Sequence, residues 1–265
     1  MEFLHISDLH YKKRYPFVKD GYASIFNKMT SPIDMLISGF KQIKCDNLSF
    51  VLISGDLTEN GIEEDYKELK NKLDMLFYGI PYIVTLGNHD NKEMFYKIWK
   101  PETNSIYPYG SITNINGINI IALDNSVEGN PDGLITEEHC KWLVRGFEYT
   151  KGTKSILMMH HPLIFDRITP VPVVQYPNEF PQIIKKYLPS MILCGHTHNE
   201  LYGSFEGVLY ATAGSMSFKG FQKGNGEVCF REYASANLCK MEGNLISIEE
   251  ITFTEYKKVL ANMQL

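Results

Sequence analysis

Short apolar runs recur along the chain, and each of them ends in a cluster of polar residues. Five of these runs are rich in β-branched and large aliphatic side chains, at residues 2–6, 50–53, 82–84, 155–159 and 191–194. Segments this short and this apolar are typical of strands that are buried on both faces of a sheet. The pattern therefore predicts buried β-strands that are each followed by polar residues.

Helical spacing separates the first three of these strands. Residues 21–44 and 63–78 carry apolar side chains at mostly three- and four-residue steps, which predicts a helix in each segment. The order strand, helix, strand, helix, strand favours parallel pairing of the strands through right-handed crossovers.

The middle of the chain predicts another helix, a hairpin and a loop. A helix is expected over 92–99, and Pro101 should end it. Asn116-Gly117 between two β-rich runs predicts a hairpin. Thr136 is expected to cap a further helix. Five prolines predict an irregular loop over 162–181.

The carboxyl-terminal part predicts short strands. Segments near 207–211, 228–233 and 245–251 indicate a second, mostly antiparallel sheet, and a helix near 255–263 is expected to close it. No repeat or convincing linker interrupts the chain. Residues 1–265 are therefore predicted to form one α/β domain, a β-sandwich flanked by helices.

Composition narrows the functional classes. A chain of 265 residues with 44% hydrophobic content can bury a full core, and it contains no apolar run of about 18 residues that would span a membrane. The net charge of −5 argues against a nucleic-acid partner. Five widely spaced cysteines do not suggest a disulfide framework. A strand that starts near Phe3 leaves no room for a removable signal peptide, so a cytoplasmic location is expected.

The polar clusters combine histidine nitrogens with carboxylate and amide oxygens. They follow the five apolar runs as Asp8-Leu9-His10, Gly55-Asp56, Gly87-Asn88-His89-Asp90, His160-His161 and Gly195-His196-Thr197-His198. Ligand sites of open α/β sheets lie beyond the carboxyl ends of the strands, so these clusters should meet. Their residue types suit two divalent metals held together, for which a phosphate ester is the natural substrate.

Local backbone geometry is expected to aim these side chains at the metals. Asp8 and His10 are two residues apart in a stretch predicted to be extended, which would place both on one face, and the same holds for His196 and His198. A glycine precedes Asp56, and glycines also precede Asn88 and His196. Each glycine is expected to allow a sharp turn of the backbone.

The complete set of motifs, in this order, resembles the calcineurin-like metallophosphoesterase family over nearly the whole chain. The resemblance implies a four-layer α/β/β/α β-sandwich of mixed sheets flanked by helices. The wording of three motifs is most similar to class III cyclic-nucleotide phosphodiesterases: Ser7-Asp8-Leu9-His10, Gly55-Asp56-Leu57-Thr58 and His160-His161-Pro162.

The resemblance also implies a role for each matching residue. One metal would be bound by Asp8, His10 and His198, and the other by Asn88, His160 and His196. Asp56 would bridge the two metals. His89 would lie beside the scissile phosphate as a catalytic residue oriented by Asp90, and His161 would support the ligands from behind.

Several of these residues have alternative interpretations. Asp56 and Asp90 are each able to cap a following helix, and His161 before Pro162 is more often structural. Beyond Asn88 and His89, candidate substrate contacts are Phe165 and Tyr176 in the proline-rich loop and the segment 215–221, although these are equally compatible with a surface loop.

The sequence thus predicts a dinuclear metallophosphoesterase that acts on small-molecule phosphodiesters, with cyclic nucleotides as the favoured substrate class. The cofactors would be two divalent or trivalent ions, and manganese, iron and zinc all suit the ligand set. The alternatives are a phosphomonoesterase or nucleotide pyrophosphohydrolase of the same family, a nuclease, and a binding module with structural metals.

Overall fold

A computed structural model describes residues 1–43, 47–99, 110–164, 174–254 and 258–264. Within these ranges the chain forms five α-helices and fourteen strands, and the last eight strands follow α5 without another helix. The helices are α1 (Pro32–Phe40), α2 (Glu63–Leu76), α3 (Lys92–Trp99), α4 (Glu137–Tyr149) and α5 (Glu179–Tyr187). No helix in these ranges combines the length and apolarity needed to cross a bilayer.

The first sheet contains five strands in the order β13-β12-β1-β2-β3. The strand bounds are β1 (Glu2–Ile6), β2 (Leu48–Ser54), β3 (Tyr82–Thr85), β12 (Ser235–Glu242) and β13 (Leu245–Thr252). β1, β2 and β3 are parallel, which confirms the pairing predicted from the strand–helix alternation. β12 and β13 extend the sheet in antiparallel fashion beside β1.

The second sheet contains six strands in the order β4-β5-β6-β7-β9-β8. The strand bounds are β4 (Gly110–Ile115), β5 (Ile118–Leu123), β6 (Lys154–Met158), β7 (Met191–Cys194), β8 (Leu201–Phe205) and β9 (Val208–Thr212). β4 and β5 form the predicted hairpin around Asn116-Gly117, where both residues have positive φ. Thr136 caps α4 as predicted, and His139 completes the capping box.

Alternating side chains fill the two faces of the first sheet. In β1, Leu4 and Ile6 pack against the layer of α1, α2 and α3, whereas Phe3 faces the second sheet and stacks on Phe50 at 4.6 Å between ring centroids. The other face of the second sheet packs against α4 and α5. Because both faces are covered at the centre of each sheet, central strands such as β5 and β7 are buried along their whole length. The predicted four-layer α/β/β/α sandwich is confirmed.

A third, smaller sheet was not predicted. It joins β10 (Phe218–Gly224), β11 (Glu227–Glu232) and β14 (Val259–Gln264). The expected closing helix over 255–263 is wrong, because β14 pairs with β11 and residues 255–257 lie outside the described ranges. The single second sheet expected for the late strands is also wrong. β9, β11 and β13 belong to three different sheets.

The first predicted helix is too long. Residues 21–43 contain a short 3₁₀ helix at Tyr22–Ser24 and then α1, which starts at Pro32. Pro32 lacks a backbone N–H and fixes its φ angle, so it suits the first turn of a helix but not the interior. The predicted proline-rich loop is described only in part, and α5 begins within it at Glu179. The single-domain and cytoplasmic interpretations stay predictions.

Candidate metal centre

The polar clusters after five strands lie together at the carboxyl ends of the two main sheets. β1, β2 and β3 lead into the clusters of the first sheet, and β6 and β7 lead into those of the second. Their nitrogen and oxygen atoms form overlapping groups of three within 4.8 Å of one another, and Asn88 lies beside one of these groups. The structure brings together all seven side chains predicted to bind metal, namely Asp8, His10, Asp56, Asn88, His160, His196 and His198.

The backbone at these positions is not extended, contrary to the prediction. Asp8 and His10 have φ angles of 56° and 47°, and His196 and His198 have φ angles of 71° and 55°. Asp56 also lies in the left-handed region, with φ 49°. Such conformations cost about 1–3 kcal/mol each for residues other than glycine. The left-handed backbone turns these side chains towards one another, and the surrounding fold compensates for its energetic cost.

The glycines before the predicted ligands act in two different ways. Gly55 has φ 94° and makes the expected sharp turn into Asp56. Gly87 and Gly195 do not have positive φ. A side chain on Gly87 would collide with Asp56, and one on Gly195 would collide with Ser7. These two glycines allow neighbouring strand ends to approach closely, so the turn predicted for them is wrong.

Hydrogen bonds fix the orientation of three histidine rings. His160 donates from Nδ1 to the Ser54 carbonyl oxygen at 2.7 Å, and His198 donates from Nδ1 to the Phe218 carbonyl oxygen at 2.7 Å. His10 Nδ1 lies 2.7 Å from a carboxylate oxygen of Glu59. A neutral ring that donates through Nδ1 keeps its lone pair on Nε2. All three Nε2 atoms thus face the cluster, where they could bind a metal.

Two groups of ligand atoms adjoin at Asp56. In the first, His198 Nε2 lies 3.1 Å from His10 Nε2 and 3.3 Å from Asp8 Oδ1. In the second, His160 Nε2 lies 3.2 Å from Asn88 Oδ1. Asp56 Oδ2 reaches both groups, at 3.6 Å from His10 Nε2 and 3.3 Å from His160 Nε2. One carboxylate oxygen therefore lies between two clusters of donor atoms.

Unpaired atoms at the centre show that the residues fit a cation. Asp8 Oδ1 and His196 Nε2 are buried and have no hydrogen-bond partner among the described residues. Leaving such an atom unpaired costs about 1–3 kcal/mol. A bound cation would satisfy both atoms, and mixed nitrogen and oxygen donors suit several transition metals.

Two buried carboxylates give this centre negative charge. Burial raises the pKa of the Asp8 and Asp56 carboxyls, but nearby His198 and His160 outweigh that effect and hold both pKa values well below the usual range. Burial lowers the pKa of His160, yet the charges of Asp56 and Asp8 raise it to about 9. For His196, burial and the neighbouring His160 lower the pKa to about 3. Both carboxylates are therefore ionised near neutral pH, which favours the binding of cations at this centre.

His89 lies at the edge of the cluster and is partly exposed. Its backbone N–H donates to Asp56 Oδ1 at 2.9 Å, and its Nδ1 lies 3.3 Å from Glu59 Oε2. Burial lowers the pKa of His89, but Glu59 and Asp56 outweigh burial and raise it to about 10. A protonated imidazole beside the donor cluster is able to stabilise an anionic oxygen or to supply a proton.

Asp90 holds loops together instead of orienting the His89 ring. Its carboxylate accepts hydrogen bonds from the Tyr66 hydroxyl at 2.8 Å and from three backbone N–H groups, those of Leu57, Thr58 and Gly87. Asn91, not Asp90, caps α3 through a bond from the Met94 N–H. The carboxylate that contacts the His89 ring is that of Glu59, and the hydrogen bonds of Asp90 go to other groups.

The sequence of the chain matches the model of one known protein family. The model of the calcineurin-like phosphoesterase family matches residues 1–200, which contain all seven converging ligands. The chain belongs to the calcineurin-like phosphoesterase family.

Relatives of this phosphoesterase include proteins named as phosphodiesterases. A probable glycerophosphodiester phosphodiesterase from Arcobacter nitrofigilis is 31% identical over 176 residues, which cover 63% of each chain. A cAMP/cGMP dual specificity phosphodiesterase from Mycobacterium tuberculosis is 25% identical over 221 residues, which cover 81% of this chain and 67% of the relative. The match thus spans less than two thirds of the first relative.

A solved structure supports the fold of the phosphoesterase. The purple acid phosphatase PPD1 from yellow lupin (Lupinus luteus) aligns with a TM-score of 0.63 and 12% identity. The alignment covers 97% of this chain and 52% of the lupin chain. At this identity, the likeness concerns the fold alone.

A cavity of about 240 Å³ opens beside the side chains predicted to bind metal. Asn88 and His89 line it, as predicted for substrate contacts, and so do Phe218 and Gly220 from the segment 215–221. Tyr176 does not reach the cavity, because it packs against Phe180 and Phe205 at the other side of the second sheet. The remaining candidate, Phe165, lies outside the described residues.

Glu59 and His161 contact the predicted site residues without lining the cavity. Sequence reasoning missed Glu59, which contacts both His10 and His89, although its place three residues after Asp56 was an available signal. His161 is buried, and its ring centroid lies 4.6 Å from that of His196. Its Nε2 donates to the Pro131 carbonyl oxygen at 3.0 Å. This bond ties a neighbour of the ligands to a separate loop.

Proposed function

We propose that the chain is a dinuclear metal-dependent phosphoesterase that hydrolyses small phosphodiesters, with cyclic nucleotides as the favoured substrates. The observation that carries this proposal is the position of Asp56 Oδ2 between two clusters of nitrogen and oxygen donors. A carboxylate shared in this way is the arrangement that holds two cations close enough to act on one phosphate.

The proposed ligand sets follow the two clusters. Asp8, His10 and His198 would hold one ion. Asn88, His160 and His196 would hold the other, and Asp56 would bridge them. Manganese, iron and zinc all suit these donors. When bound, such a pair of ions supplies Lewis acidity at the phosphate and lowers the pKa of the attacking water.

The chain's own groups would position the ester and handle the proton. The Asn88 amide and the His89 ring both line the cavity, so they would contact the phosphate oxygens. His89 is held by Glu59, which favours its protonated form. In that form it would stabilise charge on a phosphate oxygen or donate a proton to the departing alkoxide, as general acids do.

The names of two relatives favour a diester over a monoester, because the proteins from Arcobacter nitrofigilis and Mycobacterium tuberculosis are named as phosphodiesterases. A monoester carries about two negative charges near neutral pH, as the second pKa of a phosphate is about 6. Among the described residues that line the cavity, none is a lysine or arginine, so only the ions and His89 would meet the second charge.

A substrate panel tests the reaction class. With manganese added, we expect hydrolysis of cyclic AMP and bis(p-nitrophenyl) phosphate, with p-nitrophenyl phosphate turned over more slowly, because the relatives are named as phosphodiesterases and no lysine or arginine of the described lining pairs with the second charge of a monoester. Product release is followed by chromatography and absorbance. Activity confined to the monoester would defeat the phosphodiesterase assignment, and salt-sensitive cleavage of DNA would favour the nuclease alternative.

Metal binding should stabilise the fold independently of catalysis. Metal at about 100 times its dissociation constant contributes about 2.7 kcal/mol to the free energy of unfolding. In a chain of this size, that contribution raises Tm by roughly 5–10 °C. We expect this shift when manganese is added to chelator-treated protein in a thermal denaturation scan.

The control for this shift is Asp34→Asn, which alters an exposed carboxylate on α1 and should leave the manganese shift intact. His196→Ala removes a proposed ligand and should reduce the shift. An identical Tm with and without saturating manganese in the unmodified chain would contradict the metal assignment.

A further inference from the structure

The cavity beside the metal ligands has two chemically different walls. One wall carries polar groups, including His10, Asp56 and His198. A second wall, which adjoins the first where Phe218 packs on His198, is apolar and largely aromatic, and it is formed by Tyr22, Phe218, Val228 and Phe230. We call these four residues the aromatic wall. A phosphate at the polar side would leave its organic substituent facing the aromatic wall.

The aromatic wall is built apart from the metal ligands. Phe218 lies in β10, whereas Val228 and Phe230 lie in β11 of the small third sheet. These strands lie beyond residue 200, where the family match ends. Tyr22 belongs to the short 3₁₀ helix that precedes α1. Phe218 contacts His198 through its carbonyl oxygen and its ring, but none of the four wall residues belongs to the groups of possible metal-binding atoms.

Packing holds the rings of the wall in place. The Tyr22 ring meets Phe218 and Phe230 edge-to-face, at centroid distances of 5.8 Å and 6.4 Å. It also packs against Phe26 at 5.4 Å. Phe218 in turn lies 4.6 Å from the ring of His198. These contacts fix the aromatic wall relative to the metal ligands, so a ring bound there would have a defined distance from the phosphate.

Exposure distinguishes Tyr22 from its neighbours. Phe218 is 3% exposed and Phe230 is 9% exposed, whereas Tyr22 remains 40% exposed despite its three ring contacts. Aromatic surface left open to a cavity is available to contact another ring, and such pairs gain energy beyond simple burial of area. Tyr22 is therefore the member of the wall with free surface to offer a substrate.

The size of the cavity limits what binds there. Its volume of about 240 Å³ lies below the ~300–1,000 Å³ typical of pockets for drug-sized ligands. A single planar ring system attached to a phosphate group suits this space better than a dinucleotide or a polymer. Gln222 at the same cavity offers an amide donor and acceptor to the edge of such a ring.

We propose that Tyr22, backed by Phe218 and Phe230, is a specificity-determining residue that binds one planar ring in the organic substituent of the ester. This inference rests on the proposed phosphodiesterase function and adds the residue that would recognise the aromatic base of a cyclic nucleotide. The metal ligands would act on the phosphate of any small diester, and the aromatic wall would select those with a ring.

The test compares two esters that differ only in the ring. Adenosine 3′,5′-cyclic phosphate carries the base, and 1-deoxyribose 3,5-cyclic phosphate lacks it, while the phosphate chemistry is nearly the same. In the manganese-loaded full chain, Tyr22→Ala should lower kcat/KM for the adenosine ester about tenfold and change kcat/KM for the base-free ester much less. The loss should appear mainly in KM, and Tyr22→Phe should restore the preference.

The matched control is Tyr78→Ala, which removes a 91% exposed tyrosine beyond the end of α2 and should leave both rates unchanged. If Tyr22→Ala and the unmodified chain show the same ratio of kcat/KM for the two esters, the role of the aromatic wall is overturned and the proposed function is not. This holds whether Tyr22→Ala retains full activity or loses activity equally towards both esters, since an equal loss would indicate a structural defect. Failure of the metal-loaded unmodified chain to hydrolyse either ester would overturn the proposed function itself.

Discussion

Replacing Asp56 with asparagine should lower kcat by about a thousandfold or more while leaving the fold intact. Asp56 Oδ2 lies between the two donor clusters, so its charge would serve both ions at once. An amide oxygen keeps the shape but loses the negative charge that balances two cations. Metal-ion catalysis contributes several kcal/mol to stabilising the transition state, and each 1.36 kcal/mol is worth about tenfold in rate.

Two measurements separate a lost bridge from a lost fold. Metal analysis after dialysis should find fewer ions per chain in Asp56→Asn, and circular dichroism should match that of the unmodified protein. Asp74→Asn makes the same chemical change at an exposed position on α2, and its turnover should be normal. Near-normal turnover in Asp56→Asn would rule out the bridging role.

Replacing His89 with alanine should lower kcat for cyclic AMP by about 10²–10⁴ with no loss of metal, the range expected for a general acid. His89 lines the cavity, its Nδ1 lies 3.3 Å from Glu59 Oε2, and its ring packs edge-on against that of His10 at 4.7 Å between centroids. Its side chain is therefore placed to act on the substrate. Metal content and kcat are measured together on the same preparation.

The nature of the leaving group sharpens the test of His89. Cyclic AMP releases an alkoxide that requires a proton, whereas bis(p-nitrophenyl) phosphate releases a stable phenolate. If His89 donates the proton, the loss in kcat should be larger for cyclic AMP. His139→Ala, at the start of α4, provides a histidine control with unchanged kcat. Loss of metal in His89→Ala would show that His89 is a ligand and not an acid.

Local signals in the sequence were sufficient for much of the α/β core. The strands β1, β2 and β3 and the helices α2 and α3 follow from apolar periodicity, because each is covered on the faces that the pattern predicts. The β4–β5 hairpin follows from Asn116-Gly117, whose positive φ angles are a local requirement of the turn. The order of strands and polar clusters also predicted which side chains converge.

Other elements could not be predicted because distant parts of the chain determine them. β14 becomes a strand by pairing with β11, so its local helical pattern does not decide the outcome. β9 lies beside β7 in the second sheet, although it had been expected in a separate sheet. Strand identity at these positions depends on available partners, and periodicity within a short segment does not encode the partner.

The sequence by itself determined the donor set and its order along the chain, since residue types and the ends of buried strands are local properties. Only the tertiary structure decided how the donors meet. Left-handed backbone at Asp8, His10 and Asp56 persists because the packed sheets around it compensate for the strain. Glu59 reaches His10 and His89 only because loops from neighbouring strands fold against each other. The aromatic wall, likewise, exists only because side chains of the third sheet pack with the segment around Phe26 beside the cavity, a contact between segments far apart in the chain.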